Sequence, residues 1–456
     1  MHPIHHLHSR FGFGLTPDEW QKLQNESVDR NVTQLLKDAR RQKPIPTPDE
    51  SIPDNIRTMS DEERAELFKD RILSVATINA DWLSRMADSQ ASPLLERMCL
   101  FWHGHFACDI KSGGLAASYL NTIRQHALGR FGDLAKGIAR EPAMIRYLNN
   151  QQNRKQSPNE NFARELLELF TIGRGNYTEQ DIKEAARAFT GWSSNFDGTF
   201  RFRRFAHDYG TKTFMGRTGK WDGDDIIDII LEQRATAEFL AGRMYRYFVN
   251  PAGDPQQIAQ IADKLYDSGY HIGETLEYMM RSDWFYAPQH WRAQIKSPVE
   301  LIAGLMRSLG IQTDEPLSLI YLQRVLGQVL FKPPNVAGWP GGRHWIDNAT
   351  LMARLNLPSV MILGSGMVGR AKDNPKSAMR EDGPRKLNVS VDLRPLLAVG
   401  QADNPSSALA QLSAYLLPGM DLPTDLIERY ARASSPQESV AFAAIRLMSM
   451  PEYQLS

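Results

Sequence analysis

Only two of the 456 residues are cysteine, Cys99 and Cys108, and they stand nine apart around a His-Gly-His stretch. On a continuous helix they would point to opposite sides, so no structural disulfide is expected and a thiolate metal site lacks its usual partners. Net charge is missing as well: Lys plus Arg and Asp plus Glu both number 53. No whole-chain charge drives the protein onto nucleic acid or an anionic membrane. The longest apolar run, around Val360 to Val368 (VMILGSGMV), is too short and too rich in glycine to span a bilayer. The opening MHPIHHLHSRFGFG has neither a basic region before an apolar run nor a twin arginine, so the visible N-terminus predicts a cytoplasmic chain. Absent too are a Walker loop, a GxGxxG after a strand, HExxH, a nucleophile elbow and paired CxxC, which removes the commonest nucleotide, zinc-protease and serine-hydrolase chemistries.

What is present is helical periodicity, and it is densest in function-bearing side chains between Ser157 and Trp192 (SPNENFARELLELFTIGRGNYTEQDIKEAARAFTGW). At 100° per residue from Asn161, the side chains of Arg164, Glu165, Glu168 and Thr171 fall within about 80° of it, while Phe162, Leu166, Leu169 and Phe170 fill the other side. That polar face either lies in solvent as an ordinary charged surface or lines a cleft. Gly173 and Gly175 end this helix, and Thr178 with Asp181 forms a capping box for a second one, from about Glu179 to Thr190, carrying Glu184 and Arg187 on one face.

The length suits two or three domains with ample capacity for a core. The pattern predicts a mainly α protein, a large multi-helical array with a small β-hairpin insertion at about 195–216. Its parts are an N-terminal helical segment (1–40), an extended linker rich in Pro and charge (41–62), the main helical domain (63–360), a polar mobile excursion (361–390) and a C-terminal helical segment (391–456). In the hairpin, TFRFRRF from Thr199 alternates apolar and basic and KTFMG from Lys212 is a matching run, which leaves His207 and Asp208 on the connecting loop. His5, His6 and His8 form either a metal tract or a packed turn. Further on, PLLERMCLFW is a helix expected to end at Gly104, because His103 and His105 would diverge by about 200° if both were helical. Ser297 with Glu300 is a capping box, beside which Lys296 could offer a charge to an anionic ligand. The segment Gly327–Arg354, with its Trp, Gly and Pro residues, should fold over a pocket or a neighbouring helix.

The phrases FWHGHFA, NENFARELLELFTIG, YTEQDIKEAARAFTGW, HDYGTKTFMG, IKSPVE and PPNVAGWPGGRHWI resemble, in order, the signature blocks of the large bacterial family called domain of unknown function 1800. The likeness reaches from HHLHSRFGFG to MSMPEYQLS, nearly the whole chain. It implies a family without an established activity, whose members are often predicted to be secreted or to sit near envelope functions.

Two functional expectations follow. In the first the protein is a metal-dependent hydrolase or oxidoreductase acting on an unknown substrate, with an anionic one favoured by the basic candidates. His103, His105 and His207 would be ligands of Zn, Fe or Mn, Asp208 a ligand or the orienter of an imidazole, Glu165 the general base with Glu168 beside it, and Arg164 the anchor of an anionic substrate group. Lys296, Asn335, Trp339 and Trp345 are candidate substrate or partner contacts. The second comes from the resemblance: family members look to be encoded beside proteins of domain of unknown function 1501, which resemble sulfatases. The chain would then be a helical partner or maturation factor, with Trp339 and Trp345 as interface anchors and Arg164, Glu165, Glu168 and Arg187 as a structural ion-pair network.

Overall fold

Ser, Thr and Asp side chains close the first turn of one helix after another, accepting from amides that the helix itself leaves without partners. The boxes are reciprocal at Thr16 with Glu19, Ser60 with Glu63, Thr178 with Asp181 and Ser297 with Glu300. The computed structural model describes residues 2–41, 43–50, 59–195, 197–364, 387, 389–400, 405–420 and 435–456. These residues form a mainly helical protein with two small two-stranded antiparallel sheets. The excursion expected at 361–390 lies largely outside them, apart from 361–364, Leu387, which is buried, and 389–390.

The long helix Asp61–Ala87 is the spine: Gly113–His126, Pro298–Leu309 and Pro316–Leu326 pack along it. Pro93–His105 lies against Gly113–His126 and is buried on every side from Leu94 to His103. Arg234–Phe248 pairs with Pro255–Asp267, and the C-terminal helices Asn348–Leu363, Pro405–Leu416 and Pro436–Met448 group together. One hydrophobic core connects them all, from Ile4 to Tyr453. The N-terminal helix Pro3–Arg10 delivers Phe11, which stacks on Phe248 with ring centroids 4.9 Å apart. The last residues come back to the same region, where Ile295 and Leu455 form an antiparallel bridge and the Lys296 amide donates to the Gln454 carbonyl at 2.9 Å. Both chain ends therefore meet beside the start of helix Pro298–Leu309. Before the spine, Ile45 is buried and its backbone is held at both ends by the Asn121 amide side chain, at 2.7 and 2.9 Å.

The strands pair differently from the expected hairpin. β1 (Trp192–Ser194) pairs with β2 (Phe200–Phe202), and β3 (Lys212–Phe214) with β4 (Arg217–Gly219). The reason is the Met215-Gly216 turn, whose two central residues have φ of 47° and 77°. Those values suit a tight hairpin and fold KTFMG back on the residues after it.

Candidate functional site

The central helix keeps its polar side chains, but its geometry changes half-way. Asn161–Glu165 is α-helical and Leu166–Thr171 is a π-helix. In the wider turn each residue advances by less than 100°, so the helical wheel fails beyond Glu165. Thr171 consequently leaves the polar face and is fully buried, donating to the Leu166 carbonyl at 2.6 Å. Arg164 is spent on both oxygens of Glu179 at 2.9 Å and on Glu160 at 3.1 Å. Glu168 pairs with Arg174 and accepts from the Tyr177 hydroxyl. Glu165 is half-buried; burial, then the charge of Glu168, raises its carboxyl above the usual carboxylate range. Arg187 bridges Glu184 and Asp208, both at 2.7 Å. Arg164, Glu168 and Arg187 are thus held in separate, partly exposed ion-pair clusters, while Glu165 makes no ion pair among the described residues.

The imidazoles do not converge. Helix Pro93–His105 runs straight through Gly104, so His103 and His105 point apart. His103 accepts from the Phe331 amide at 3.1 Å through Nε2, which commits the lone pair a metal would need and leaves the proton on Nδ1. Its ring is stacked on Trp339 at 5.4 Å. His105 donates through Nε2 to the Phe170 carbonyl at 2.9 Å, a carbonyl the π-turn leaves free. Burial pushes both rings down to about 3, so both are neutral. His207 is tied elsewhere, donating to the Thr190 carbonyl at 2.8 Å, while Asp208 serves Arg187 and the Gly210 amide. Burial pushes the Asp208 carboxyl up, but the hydrogen bonds from Arg187 and Gly210 outweigh it and hold it below its ordinary value. Among the described residues, no group of three or more His, Cys, Asp or Glu side chains is placed to hold a metal ion. Cys99 and Cys108 are buried free thiols. In the N-terminal helix His6 bonds to the Phe285 carbonyl and His8 to Asn31.

The Trp-rich segment folds onto the body. Trp345 is buried and Trp339 half-buried against His103. Asn335 is exposed and closes its own turn by accepting from the Ala337 amide. Gly338 (φ 80°) comes so close to the Gly104 carbonyl that a Cβ would sit 2.5 Å from it. Phe331, with φ of 64°, is pinned in that conformation by His103 on its amide and Ile110 on its carbonyl.

Lys296 leads to a different assembly. It borders a cavity of about 50 Å³ whose wall also includes His5, Ser9, Arg97, Glu300, Tyr415 and Tyr453. That is room for one or two waters or for one group of carboxylate or sulfate size, a water occupying roughly 30 Å³. Arg97, 2% exposed, pairs with Glu300 at 2.6 Å and lies over the Tyr247 ring at 4.7 Å, while its Nε has no hydrogen-bond partner. Lys296 donates to the Tyr453 carbonyl at 2.7 Å and sits 4.0 Å from that ring's centroid. Behind them two more guanidiniums reach Glu300 electrostatically. Arg10, fully buried, donates to the His290 carbonyl at 2.6 Å and leaves Nε and Nη1 without partners. Arg354, also fully buried, contacts Gln454 and the Lys296 carbonyl and leaves Nη1 without one.

Arg10, Arg97, Lys296 and Arg354 thus share a single carboxylate. Burying cations without matching anions is costly, and they respond by losing proton affinity. Burial, then Arg354 and Arg292, outweighs the pull of Glu300 and brings Lys296 down to about 7. Burial and Arg97 bring Arg10 to about 9, and burial brings Arg354 to about 10. Burial and the charge of Lys296 hold His5 at about 3, so it is neutral and can give or take a hydrogen bond.

A larger groove of about 1460 Å³ runs between the N-terminal helices and the spine, but its deep charges satisfy one another. Arg307 meets Glu19 at 2.5 Å and Arg124 meets Glu96 at 2.6 Å. Of these two cavities, the small one has a second cation, Lys296, half-buried beside the Arg97–Glu300 pair and no further carboxylate in its wall. Of its residues, sequence reasoning singled out Lys296 as a ligand contact, named the His5 tract, and read Glu300 only as the capping partner of Ser297. Arg10, Arg97 and Arg354 were missed, although for two of them a readable signal existed: Arg97 and Arg354 interrupt apolar stretches, LLERMCLFW and TLMARLNL, where a charge must be buried with a partner.

The family model described as Protein of unknown function (DUF1800) matches residues 6–455. No curated protein and no solved structure matches the chain.

Proposed function

We propose that this chain, which belongs to the DUF1800 family, recognises a small molecule through an anionic group of carboxylate, sulfate or phosphate size, held in the cavity between His5, Arg97 and Lys296. One observation carries the reading: Arg97 and Lys296 line one open space together with a single carboxylate, Glu300, and the buried Arg97 Nε beside it has no hydrogen-bond partner. An anion there would accept from Arg97 and Lys296, the charge-assisted bonds that are strongest when shielded from water. His5 and Lys296 are only half-buried, which gives solvent and ligand a way in. This keeps the anionic substrate class expected from Lys296 and takes nothing from the histidine and carboxylate set.

The test is a calorimetric titration of the full chain with sulfate, phosphate and acetate, repeated on Lys296→Gln. Saturable binding that this substitution weakens on the order of tenfold supports the reading. Absence of saturable binding by all three anions refutes it.

A further inference from the structure

The chain is neutral overall, yet one small face of it is strongly basic. The turn Arg204–Ala206 projects Phe205 with 94% of its surface exposed, and Tyr209 (59%) and Phe202 (39%) stand near it. Around these rings lie Arg201, Arg203 and Arg204. Arg154 and Lys155 join them from a neighbouring turn, whose Lys155 amide donates to the Ala206 carbonyl at 2.8 Å. All but the half-exposed Arg203 are exposed, and none of the five makes an ion pair among the described residues. The exposed aromatic is not on a loose loop. The Arg203 amide donates to the Gly191 carbonyl at 2.8 Å, His207 is fixed to Thr190, Asp208 is fixed to Arg187, and Phe202 packs edge-on against His207 at 5.2 Å.

We propose that this face docks the protein on an anionic lipid surface, with Phe205 entering the acyl boundary and the guanidiniums meeting lipid phosphates. A rigid turn that holds a large apolar side chain in water gains by burying it, and cations at the base of that ring fix which surface it chooses. The shape favours lipid over the alternatives. Single-stranded nucleic acid binds aromatic faces laid along a basic groove, and this ring stands out from the surface. An acidic protein would need a pocket matched to one phenyl group, whereas a lipid interface needs none. The patch lies apart from the anion cavity and does not depend on it.

Co-sedimentation of the full chain with vesicles decides the matter, using phosphatidylcholine alone and phosphatidylcholine mixed with phosphatidylglycerol. Binding is expected to the mixed vesicles only and to be released by added salt. Phe205→Ser should lower it on the order of tenfold, and Arg201→Gln, Arg203→Gln and Arg204→Gln together on the order of a hundredfold. These positions are surface ones, so both variants should melt as the parent does. No binding to mixed vesicles, or binding that both variants retain, overturns the proposal. So does capture by single-stranded RNA or polyglutamate, in place of vesicles, with the same dependence on Phe205.

Discussion

His103 gives the lone pair a metal ion would want to the amide of Phe331, and that one bond illustrates how residue-level chemistry sorted the candidates. Histidine types and spacings were legible in the sequence, but the partner of each ring was not, because Phe331, Phe170 and Thr190 arrive from elsewhere in the chain. Neutral burial has a measurable consequence. In the unfolded chain these imidazoles take protons near 6.5, whereas folded His103 and His105 resist protonation until about 3. The unfolded state then binds more protons throughout that window, so stability is full above about pH 6.5 and falls steadily toward pH 3, as chemical denaturation at stepped pH should record. Lys296 acts in the opposite range: it loses its proton near 7 when folded and near its ordinary 10.5 when unfolded, so its burial costs stability at neutral pH and that cost fades as pH rises between the two. Glu300 is the most exposed to disruption. Glu300→Gln leaves four cations without a carboxylate and should destabilise the fold by about 3–5 kcal/mol. Added sulfate should restore part of the lost melting temperature, and restoration is the outcome that separates an anion site from ordinary packing.

Among the elements, the capping boxes were the most legible feature, since Thr178 with Asp181 and Ser297 with Glu300 are local and their chemistry needs only three residues of chain. Thr178→Ala should therefore cost about 1 kcal/mol in a thermal or denaturant melt. The π-turn at Leu166–Thr171 was not legible, because nothing in LLELFT breaks the α-helical pattern. Contacts from His105 and the buried Thr171 hydroxyl select it. Gly104 misled for a related reason: glycine near a helix end reads as a stop, and here the helix passes through it. A Cβ on Gly104 would meet nothing within 4 Å, so Gly104→Ala should be neutral or stabilising by up to about 1 kcal/mol. Gly338→Ala should instead cost more than about 1 kcal/mol, since it combines a positive φ with a backbone oxygen 2.5 Å from the new carbon. Comparing the two melts tests whether the Trp-rich loop is clamped to helix Pro93–His105. The hairpin was legible as extended chain, while its pairing hung on the backbone of Met215 and Gly216.

At the scale of the whole molecule, a mainly helical array with a small β insertion followed from periodicity alone. The candidate site did not, because it is built from separate stretches: the N-terminal helix, helix Pro93–His105, the start of helix Pro298–Leu309, Arg354 and the last residues. The blocks HHLHSRFGFG and IKSPVE and the closing MSMPEYQLS meet there, which no local pattern reveals. Folding brings their cations together around Glu300, and an anion is what that arrangement lacks. The most direct measurement is calorimetric titration of the full chain with sulfate, whose charge is constant, at about pH 6 and about pH 9. Protonated Lys296 holds the anion better, so one saturable site is predicted at the lower pH, weaker at the higher one, and in Lys296→Gln the dependence on pH shrinks to what Arg10, which loses its proton near 9, contributes. Equal binding at both pH values in the parent protein, or none at either, would contradict it.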